Sequence, residues 1–253
     1  MKADFIKQDG KCVIVAIDHG IAMGALDGIK DMENTIKLMI EGKADGLLLS
    51  YGTVKKYKEL LVDSKMPFIL RCDHFTSLLT VKAPEKEGYS VTVEVEQAKE
   101  MGASAVMFYL VFGMNSTDAF VKNVETITKA AKLCNKIKLP LYVESVLWGK
   151  NFSKDEQSNA KYIQDICRIA AELGADIIKA PYSGSKDSFK DVVSSCYVPI
   201  TVLGGSKSND ESEVLKNVKD AIDAGSIGVV FGRNIWQAQD PVKMLKSIIN
   251  IVH

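Results

Sequence analysis

The sequence predicts an α/β fold: a single (β/α)₈ barrel, a TIM barrel, that occupies residues 1–253 as one domain. Eight short apolar runs alternate with segments of helical periodicity, and glycine-containing turns join several of those segments to the next run. No linker rich in proline, serine and glycine divides the chain. A doubly wound open sheet is the alternative, but no G-x-G-x-x-G pattern follows the first apolar run.

The apolar runs are rich in β-branched residues and are almost uninterrupted. This pattern is typical of strands buried on both faces of a parallel sheet, and it predicts eight of them. The predicted strands are residues 13–17, 46–49, 68–71, 105–110, 141–144, 176–179, 200–203 and 228–231.

Between these runs, apolar residues recur every three or four positions, which predicts amphipathic helices. The clearest predicted helices are residues 32–40, 120–133, 162–173 and 214–224. Glycines 42, 102, 174 and 225 follow predicted helices, where the left-handed conformation favours glycine. Residues 74–90 form the longest irregular stretch, which is either a lid over a substrate or a connection whose helix is not recognisable.

Charge and cysteine content narrow the classes of protein. Lys and Arg total 32, and so do Asp and Glu, so the chain lacks the excess positive charge of a general nucleic-acid binder. No apolar run reaches the 18 or so residues of a transmembrane helix, so no membrane association is expected. The five cysteines are scattered and odd in number, which favours a reduced, cytoplasmic protein.

Lys179 is the most informative polar residue, because it ends an apolar strand on the side where barrel enzymes place their active sites. Burial disfavours the charged form of a lysine, and a neutral amine attacks carbonyl carbon. Lys179 is therefore a candidate Schiff-base lysine. The alternatives are a lysine paired with a carboxylate or one exposed at the strand end.

Asp18 and Glu144 are the candidate acid–base partners, since each lies at or near the end of a predicted strand. Imine formation requires a carboxyl group beside the lysine to move protons. Strand ends converge at the barrel mouth, so both carboxyls are expected to face Lys179. The alternatives are a turn-capping role for Asp18 and a structural ion pair for Glu144.

The ends of the seventh and eighth predicted strands favour a phosphate site. Backbone N–H groups at glycines approach an anion closely, and an arginine adds a bidentate charge. The alternative is that these glycines only serve tight turns. The candidate phosphate ligands are Gly204, Gly205, Gly232, Arg233, Ser206 and Ser183.

A metal site is not predicted. Some side chains could meet at the barrel mouth, but their spacing matches no compact metal-binding motif. No role is predicted for His253. The residues considered as metal ligands were Asp18, His19, Cys72, Asp73 and His74.

Four stretches together resemble the class I aldolases of the archaeal fructose-bisphosphate aldolase type, a group with deoxyribose-phosphate and tagatose-bisphosphate aldolase relatives. They occur in the family order, and the resemblance runs from residue 13 to about residue 241. It implies an imine on Lys179, no external cofactor, a phosphorylated sugar or ketone as substrate, and a homo-oligomer. The stretches are residues 15–20 (VAIDHG), 173–179 (LGADIIK), 202–205 (VLGG) and 231–237 (FGRNIWQ) with the following Asp240-Pro241.

Two departures from the family pattern affect the expected chemistry. A tyrosine that moves protons in archaeal-type enzymes is replaced at the fifth strand by Glu144-Ser145-Val146. Glu144 is similar to the glutamate of tagatose-bisphosphate-type aldolases, so we assign it the proton transfer, with Asp18 in support. The third strand ends in residues 72–77 (CDHFTS) instead of a small phosphate loop, where Asp73 would repel a second phosphate while Arg71 or His74 could attract one.

The resemblance implies a class I aldolase that cleaves a fructose-1,6-bisphosphate-like ketose, with dihydroxyacetone phosphate as the nucleophilic half. A substrate with a single phosphate is an alternative. His19 leaves open a transaldolase- or thiolase-like transfer on the same lysine, with His19 as a base. A non-catalytic phosphosugar-binding barrel and a metal-dependent aldolase, which chelators would inhibit, complete the alternatives.

Overall fold

The computed structural model describes residues 3–79, 87–149 and 151–253. Eight parallel strands close into a barrel, and two further strands pair as a small antiparallel hairpin. In chain order the strands are β1 (Cys12–Ala16), β2 (Gly46–Leu49), β3 (Phe68–Arg71), β4 (Asp73–Phe75), β5 (Tyr89–Val91), β6 (Ala105–Val111), β7 (Leu141–Val146), β8 (Ile177–Ala180), β9 (Ile200–Leu203) and β10 (Gly228–Phe231). Around the barrel their order is β1, β10, β9, β8, β7, β6, β3, β2, and the hairpin is β4 with β5.

Helices occupy the connections between barrel strands. They are α1 (Gly20–Met23), α2 (Met32–Glu41), α3 (Tyr51–Lys56), α4 (Lys58–Asp63), α5 (Val95–Glu100), α6 (Thr117–Ile137), α7 (Ala160–Glu172), α8 (Lys186–Ser194), α9 (Glu211–Asp223), α10 (Arg233–Trp236) and α11 (Pro241–Val252). Two 3₁₀ turns, Thr76–Leu78 and Glu156–Ser158, also lie in connections.

The predicted barrel is confirmed. Each of the eight predicted strands is a barrel strand, with bounds that differ by at most two residues. The four predicted helices are α2, α6, α7 and α9. Three of them begin earlier than the apolar periodicity indicates, because polar side chains at Ser116, Asn159 and Asp210 accept hydrogen bonds from the first-turn N–H groups.

The turns after the helices explain the glycines. Gly102, Gly174 and Gly225 have φ angles of 90°, 101° and 103°, the left-handed region expected of them. Gly42 does not: its φ is −71°, and the following Lys43 takes the positive φ of 62°. At this turn the left-handed residue is therefore Lys43, one position after the glycine that was expected to adopt that conformation.

Side chains alternate between the two faces of the barrel wall, as strand geometry requires. Outward-facing residues such as Val13, Val15 and Val143 pack against the helices in the larger apolar cluster. Inward-facing residues such as Ile14 and Tyr142 form a smaller cluster inside the barrel. At the carboxyl ends of the strands the inward positions become polar, and this layer forms the floor of the candidate site.

The irregular stretch 74–90 begins within β4 and ends within β5, which pair with each other, and it includes the first 3₁₀ turn. The backbone N–H groups of Thr92 and Val93 bond to the carbonyl of Cys72, which ties the far end of the hairpin to the end of β3. Residues 80–86, on which the lid prediction partly rests, lie outside the described residues. Lys150, after β7, lies outside them as well.

Within the described ranges, no helix is both long and apolar enough to cross a membrane. The five cysteines are unpaired, and four of them are buried. The single-domain organisation and the homo-oligomer remain predictions.

Candidate active site

A cavity of about 470 Å³ opens at the carboxyl ends of the barrel strands. It has a basic edge near β9 and β10, and apolar side chains line it near α1 and in the loop after β7. Its lining residues are Asp18, His19, Ile21, Ala22, Met23, Leu78, Tyr109, Glu144, Trp148, Lys154, Gln157, Ser158, Lys179, Pro181, Leu203, Gly205, Ser206 and Arg233.

Lys179 lies on β8 and is 6% exposed, and it reaches the cavity floor. Its Nζ is 2.7 Å from Oε1 of Glu144. The two residues are register partners on the neighbouring strands β7 and β8, which brings their inward side chains together. The predicted approach of Glu144 to Lys179 is therefore present in the structure.

Arg71 lies beneath this pair and is completely buried. Its Nε donates to Oδ2 of Asp18 at 3.0 Å, and its Nη2 donates to Oε2 of Glu144. Its Nη1 is 3.6 Å from Oδ1 of Asp73. The expectation that Arg71 could attract a second phosphate is wrong, because its guanidinium has no exposed surface and is paired with the carboxyl groups of Asp18, Glu144 and Asp73.

Asp18 lines the same cavity as Lys179, but the partner of its ion pair is Arg71. Burial opposes the charged form of Asp18, but the positive charge of Arg71, aided by His19 and Lys179, outweighs burial and lowers the pKa of this carboxyl. Burial raises the pKa of Asp73 to about 7. The two aspartates therefore differ at neutral pH: Asp18 is ionised, while Asp73 is partly protonated.

His19 stands beside Asp18, with Nδ1 3.7 Å from Oδ1 of the carboxylate. Burial lowers the pKa of His19, which favours the neutral imidazole at neutral pH. The ring packs edge-on against Trp236, whose Nε1 donates to the carbonyl of Ala16. Gly232 leaves room for this ring, since a Cβ at that position would lie 2.5 Å from it.

Arg233 forms the basic edge of the cavity with Gly205 and Ser206. Its Nη2 donates to the carbonyl of Gly205 at 3.0 Å, and its Nε is buried without a hydrogen-bond partner. Gly205 has a φ of 64°, so the turn requires glycine. A cation, a glycine turn and a hydroxyl residue meet here, as an anion site requires.

Asn234 holds this edge in place, a role that its position after Arg233 did not reveal. Its Nδ2 donates to the carbonyls of Gly204 and Ser206, and its Oδ1 accepts from the N–H of Ser208. Gly204 therefore contributes its carbonyl to the loop and does not line the cavity. Ser183 also lies outside the cavity lining, where its hydroxyl bonds to that of Ser188.

Tyr109 is a site residue that the sequence analysis missed. It lies on β6 inside an apolar run, lines the cavity, and stacks under Arg71 with 3.7 Å between the guanidinium carbon and the ring centroid. Its register partner is Glu144. The alternation of side chains along β6 could have identified it, because Tyr109 shares one face of the strand with Ala105 and Met107, which point into the barrel.

The part of the lining formed by α1, the first 3₁₀ turn and the loop after β7 includes the apolar side chains of Met23, Leu78 and Trp148. Lys154 is the cation that the described lining residues contribute there. His74 is not part of the lining. Within the described ranges, no three His, Cys, Asp or Glu side chains are grouped to hold a metal ion.

The arrangement suits covalent chemistry on a carbonyl compound. An amine in contact with a carboxylate can give up a proton to it, attack a carbonyl carbon, and receive protons back as water leaves. The basic edge lies beside this pair in the same cavity. A ligand with a carbonyl group and a phosphate can therefore contact both at once.

Known proteins share this fold and sequence. The model of the DeoC/LacD family aldolases matches residues 12–238. A class 1 fructose-bisphosphate aldolase from Thermoproteus tenax is 31% identical, covering 96% of this chain and 90% of the relative. A 2-amino-3,7-dideoxy-D-threo-hept-6-ulosonate synthase from Halobacterium salinarum is 30% identical, covering 98% and 89%.

Among solved structures, an archaeal fructose-1,6-bisphosphate aldolase superposes with a TM-score of 0.87 at 29% identity, covering 98% of this chain and 96% of that one. In that structure the catalytic lysine is covalently bound to the carbinolamine intermediate of the substrate. The family model spans nearly all of the barrel, from the first residue of β1 to just before α11. The chain therefore belongs to the DeoC/LacD family of aldolases, carbon–carbon lyases of the Schiff-base class.

Proposed function

We propose that the protein is a class I aldolase for a phosphorylated ketose resembling fructose 1,6-bisphosphate, with Lys179 as the Schiff-base residue and dihydroxyacetone phosphate as the nucleophilic half. The observation that carries the proposal is the buried pair of Lys179 Nζ and Glu144 Oε1, 2.7 Å apart, on the floor of a cavity whose edge holds Arg233. The family membership supports the reaction class.

In the proposed reaction, the Lys179 amine attacks the ketone carbon and forms a carbinolamine. Glu144 lies closest to the nitrogen and supplies the proton with which the hydroxyl leaves as water. The resulting iminium withdraws electrons, so the bond between C3 and C4 breaks and its electron pair forms an enamine. No metal ion is needed, because the iminium is the electron sink.

Bond cleavage also requires a base for the C4 hydroxyl proton. Glu144 is assigned this step, with Asp18 in support, because Arg71 keeps the pKa of Asp18 low and its carboxylate available. The released aldehyde leaves first. The enamine then takes up a proton, and water hydrolyses the iminium to free the triose phosphate and Lys179.

The phosphate of the nucleophilic half is placed against Arg233, Gly205 and Ser206. The unpartnered Nε of Arg233 supports this placement, because a buried guanidinium N–H without an acceptor is costly and an anion would satisfy it. Gly232 contributes indirectly by admitting His19, and Gly204 by anchoring Asn234.

A second candidate function is a transaldolase- or thiolase-like transfer on the same lysine. It is favoured by His19, which lines the cavity, carries a lowered pKa and has no hydrogen-bond partner at Nδ1. The Halobacterium relative, named as a synthase of a heptulosonate, also supports a reaction other than fructose bisphosphate cleavage. Product formation only with an added aldehyde acceptor, and a large loss of rate in His19→Ala, would favour this candidate.

Borohydride trapping with dihydroxyacetone phosphate, followed by peptide mass analysis, tests the proposal. A reduced adduct on Lys179, absent from Lys179→Arg, is expected. Bound ligand without any adduct on the folded protein would contradict the Schiff-base mechanism. If this ligand does not bind, other phosphorylated ketones serve as probes, and their failure would also contradict it.

A further inference from the structure

Arg71 is a buried cation for which the proposed reaction has no direct use. The chain contains three arginines, and Arg71 is the one with no exposed surface. It does not line the cavity, so it does not touch a substrate there. Burying a guanidinium is costly unless its charge and its N–H groups are matched. Its partners therefore indicate what it does.

Two different N–H groups of Arg71 bond the two carboxylates that take part in the proposed reaction. Nε bonds Asp18, which follows β1, and Nη2 bonds Glu144 on β7; these two strands lie on opposite sides of β3, each separated from it by one strand. The Tyr109 ring, 3.7 Å below, fixes the plane of the fork, and Nη2 also contacts Sδ of Met107 at 3.2 Å. The guanidinium is thereby held in one orientation from three sides.

Glu144 is bound at both oxygens. Oε2 accepts from Arg71, which leaves Oε1 to face Nζ of Lys179 at 2.7 Å. Rotation of the carboxylate would break both contacts at once. We propose that Arg71 is a positioning residue that aims Glu144 at Lys179, so that the carboxylate transfers protons during imine formation. This inference rests on the proposed function, because it assumes the Schiff-base role of Lys179.

A lysine could not replace this fork. A guanidinium is planar and presents donors in fixed directions, whereas an ammonium is a point charge on a flexible stem. The charges of this cluster balance when Asp73 is protonated. The two carboxylates, Asp18 and Glu144, then face two cations, Arg71 and Lys179. The pKa of Asp73, raised to about 7 by burial, allows that state near neutral pH.

A double-mutant cycle between Arg71→Lys and Glu144→Gln tests the proposal through the borohydride trapping rate and the steady-state constants. Arg71→Lys is expected to lower kcat by ~10²-fold with KM changed by less than ~3-fold, as misplacement of a catalytic group does. Glu144→Gln is expected to lower kcat by ~10³-fold. The double variant should be no slower than Glu144→Gln, because Arg71 then has no carboxylate to aim.

The matched control is Arg168→Lys, which changes an exposed arginine paired with Glu172 and should leave the constants unchanged. If Arg71→Lys does not fold, Arg71→Met combined with Asp73→Asn removes one cation and one carboxyl together and enters the same cycle.

Losses that multiply in the double variant, or a raised KM with unchanged kcat, would overturn the positioning role. Failure of both Arg71 replacements to fold would also overturn it and assign Arg71 to structure. A wild-type enzyme that forms no adduct would instead overturn the proposed function, and this inference with it.

Discussion

Among the described residues, an ionic cluster lies at each end of the barrel: the one at the carboxyl ends of the strands is buried, whereas the one at the opposite end has Asp45 as its buried member. The upper cluster, at the carboxyl ends of the strands, comprises Asp18, Arg71, Glu144 and Lys179. The lower cluster, at the opposite end, comprises Lys7, Asp9, Asp45 and His253. Lys179 of the upper cluster faces a cavity, whereas Asp45 of the lower cluster is bonded by the backbone N–H of Val13 and contacts His253.

Asp45 is the centre of the lower cluster. Its Oδ2 accepts from the N–H of Val13 at the start of β1 and contacts Nε2 of His253 at 2.9 Å. Nδ1 of His253 contacts Asp9 at 2.8 Å. These contacts tie the end of the chain to the first strand. No role was predicted for His253, and the structure assigns it this contact.

The difference teaches where to expect activity and where to expect stability. In a (β/α)₈ barrel the carboxyl end carries catalysis and the amino end carries structural contacts. The upper cluster holds its charges beside the candidate-site cavity, and the lower cluster uses its charges to join the last residue described, His253, to residues near the first strand. Four substitutions test that division, from the largest expected effect to the smallest.

Lys179→Ala removes the amine and should abolish carbon–carbon cleavage, with kcat lowered on the order of 10⁵-fold or more, as loss of a covalent nucleophile does. The assay is steady-state cleavage of fructose 1,6-bisphosphate or of the ketose identified by trapping. Lys161→Ala, which changes an exposed lysine paired with Asp165, is the control. Near-normal cleavage by Lys179→Ala would show that the upper cluster does not carry the catalytic lysine.

Glu144→Gln preserves shape but removes the proton acceptor, so kcat should fall by ~10³-fold with a smaller change in KM. The Lys179 adduct should still form, but slowly, in a rapid-quench borohydride assay. Glu172→Gln, on the exposed face of α7, controls for the substitution. An unchanged kcat would move the proton transfer to Asp18.

Arg233→Ala should weaken binding of phosphorylated substrates. A hydrogen bond to a charged group contributes ~1.5–3 kcal/mol, so KM should rise ~10- to 100-fold. Trapping with dihydroxyacetone, which lacks the phosphate, should change little. An equal loss for both ketones would mean that Arg233 supports the loop and not the anion.

His253→Ala should leave kcat and KM unchanged and lower Tm by about 2–4 °C, equivalent to ~1 kcal/mol for a chain of this size. Burial opposes the charge on His253, but its bonds to Asp9 and Asp45 outweigh burial and raise its pKa above 6.5. Because the pKa of His253 is higher in the folded state than in the unfolded state, its protonation stabilises the fold. This stabilisation is complete at pH values below the unfolded pKa and is lost as the pH rises through the folded pKa. The Tm difference should therefore be larger at pH 6 than at pH 9; the reverse order would contradict the ion pair.

The sequence was sufficient for the strand order along the chain and for the presence of Lys179 at a strand end. A strand that is buried on both faces appears in the sequence as a continuous apolar run, so an ionisable residue at the end of such a run is easy to recognise. Glu144 and Asp18 were recognisable for the same reason. Arg71 was noticed but given the wrong environment, because its distance from the cavity depends on the tilt and closure of the barrel.

Tyr109 and Asn234 show the limit more clearly. Tyr109 is hidden in an apolar run, and only the register of β6 against β7 places it beside Glu144 and beneath Arg71. Asn234 reads as one more residue of a turn, yet it bonds three backbone groups of the neighbouring loop. Neither role has a local signature.

The sequence alone thus determined the eight barrel strands and four of the helices, because hydrophobic periodicity and turn residues are properties of neighbouring positions. It also determined which residue types are available for chemistry at the strand ends. The tertiary structure decided which carboxylate pairs with which cation, and which of these side chains line the cavity. Ion pairs between strands depend on register and on the volume that closure leaves inside the barrel, and Arg71 bonds residues that lie 53 and 73 positions from it in the sequence.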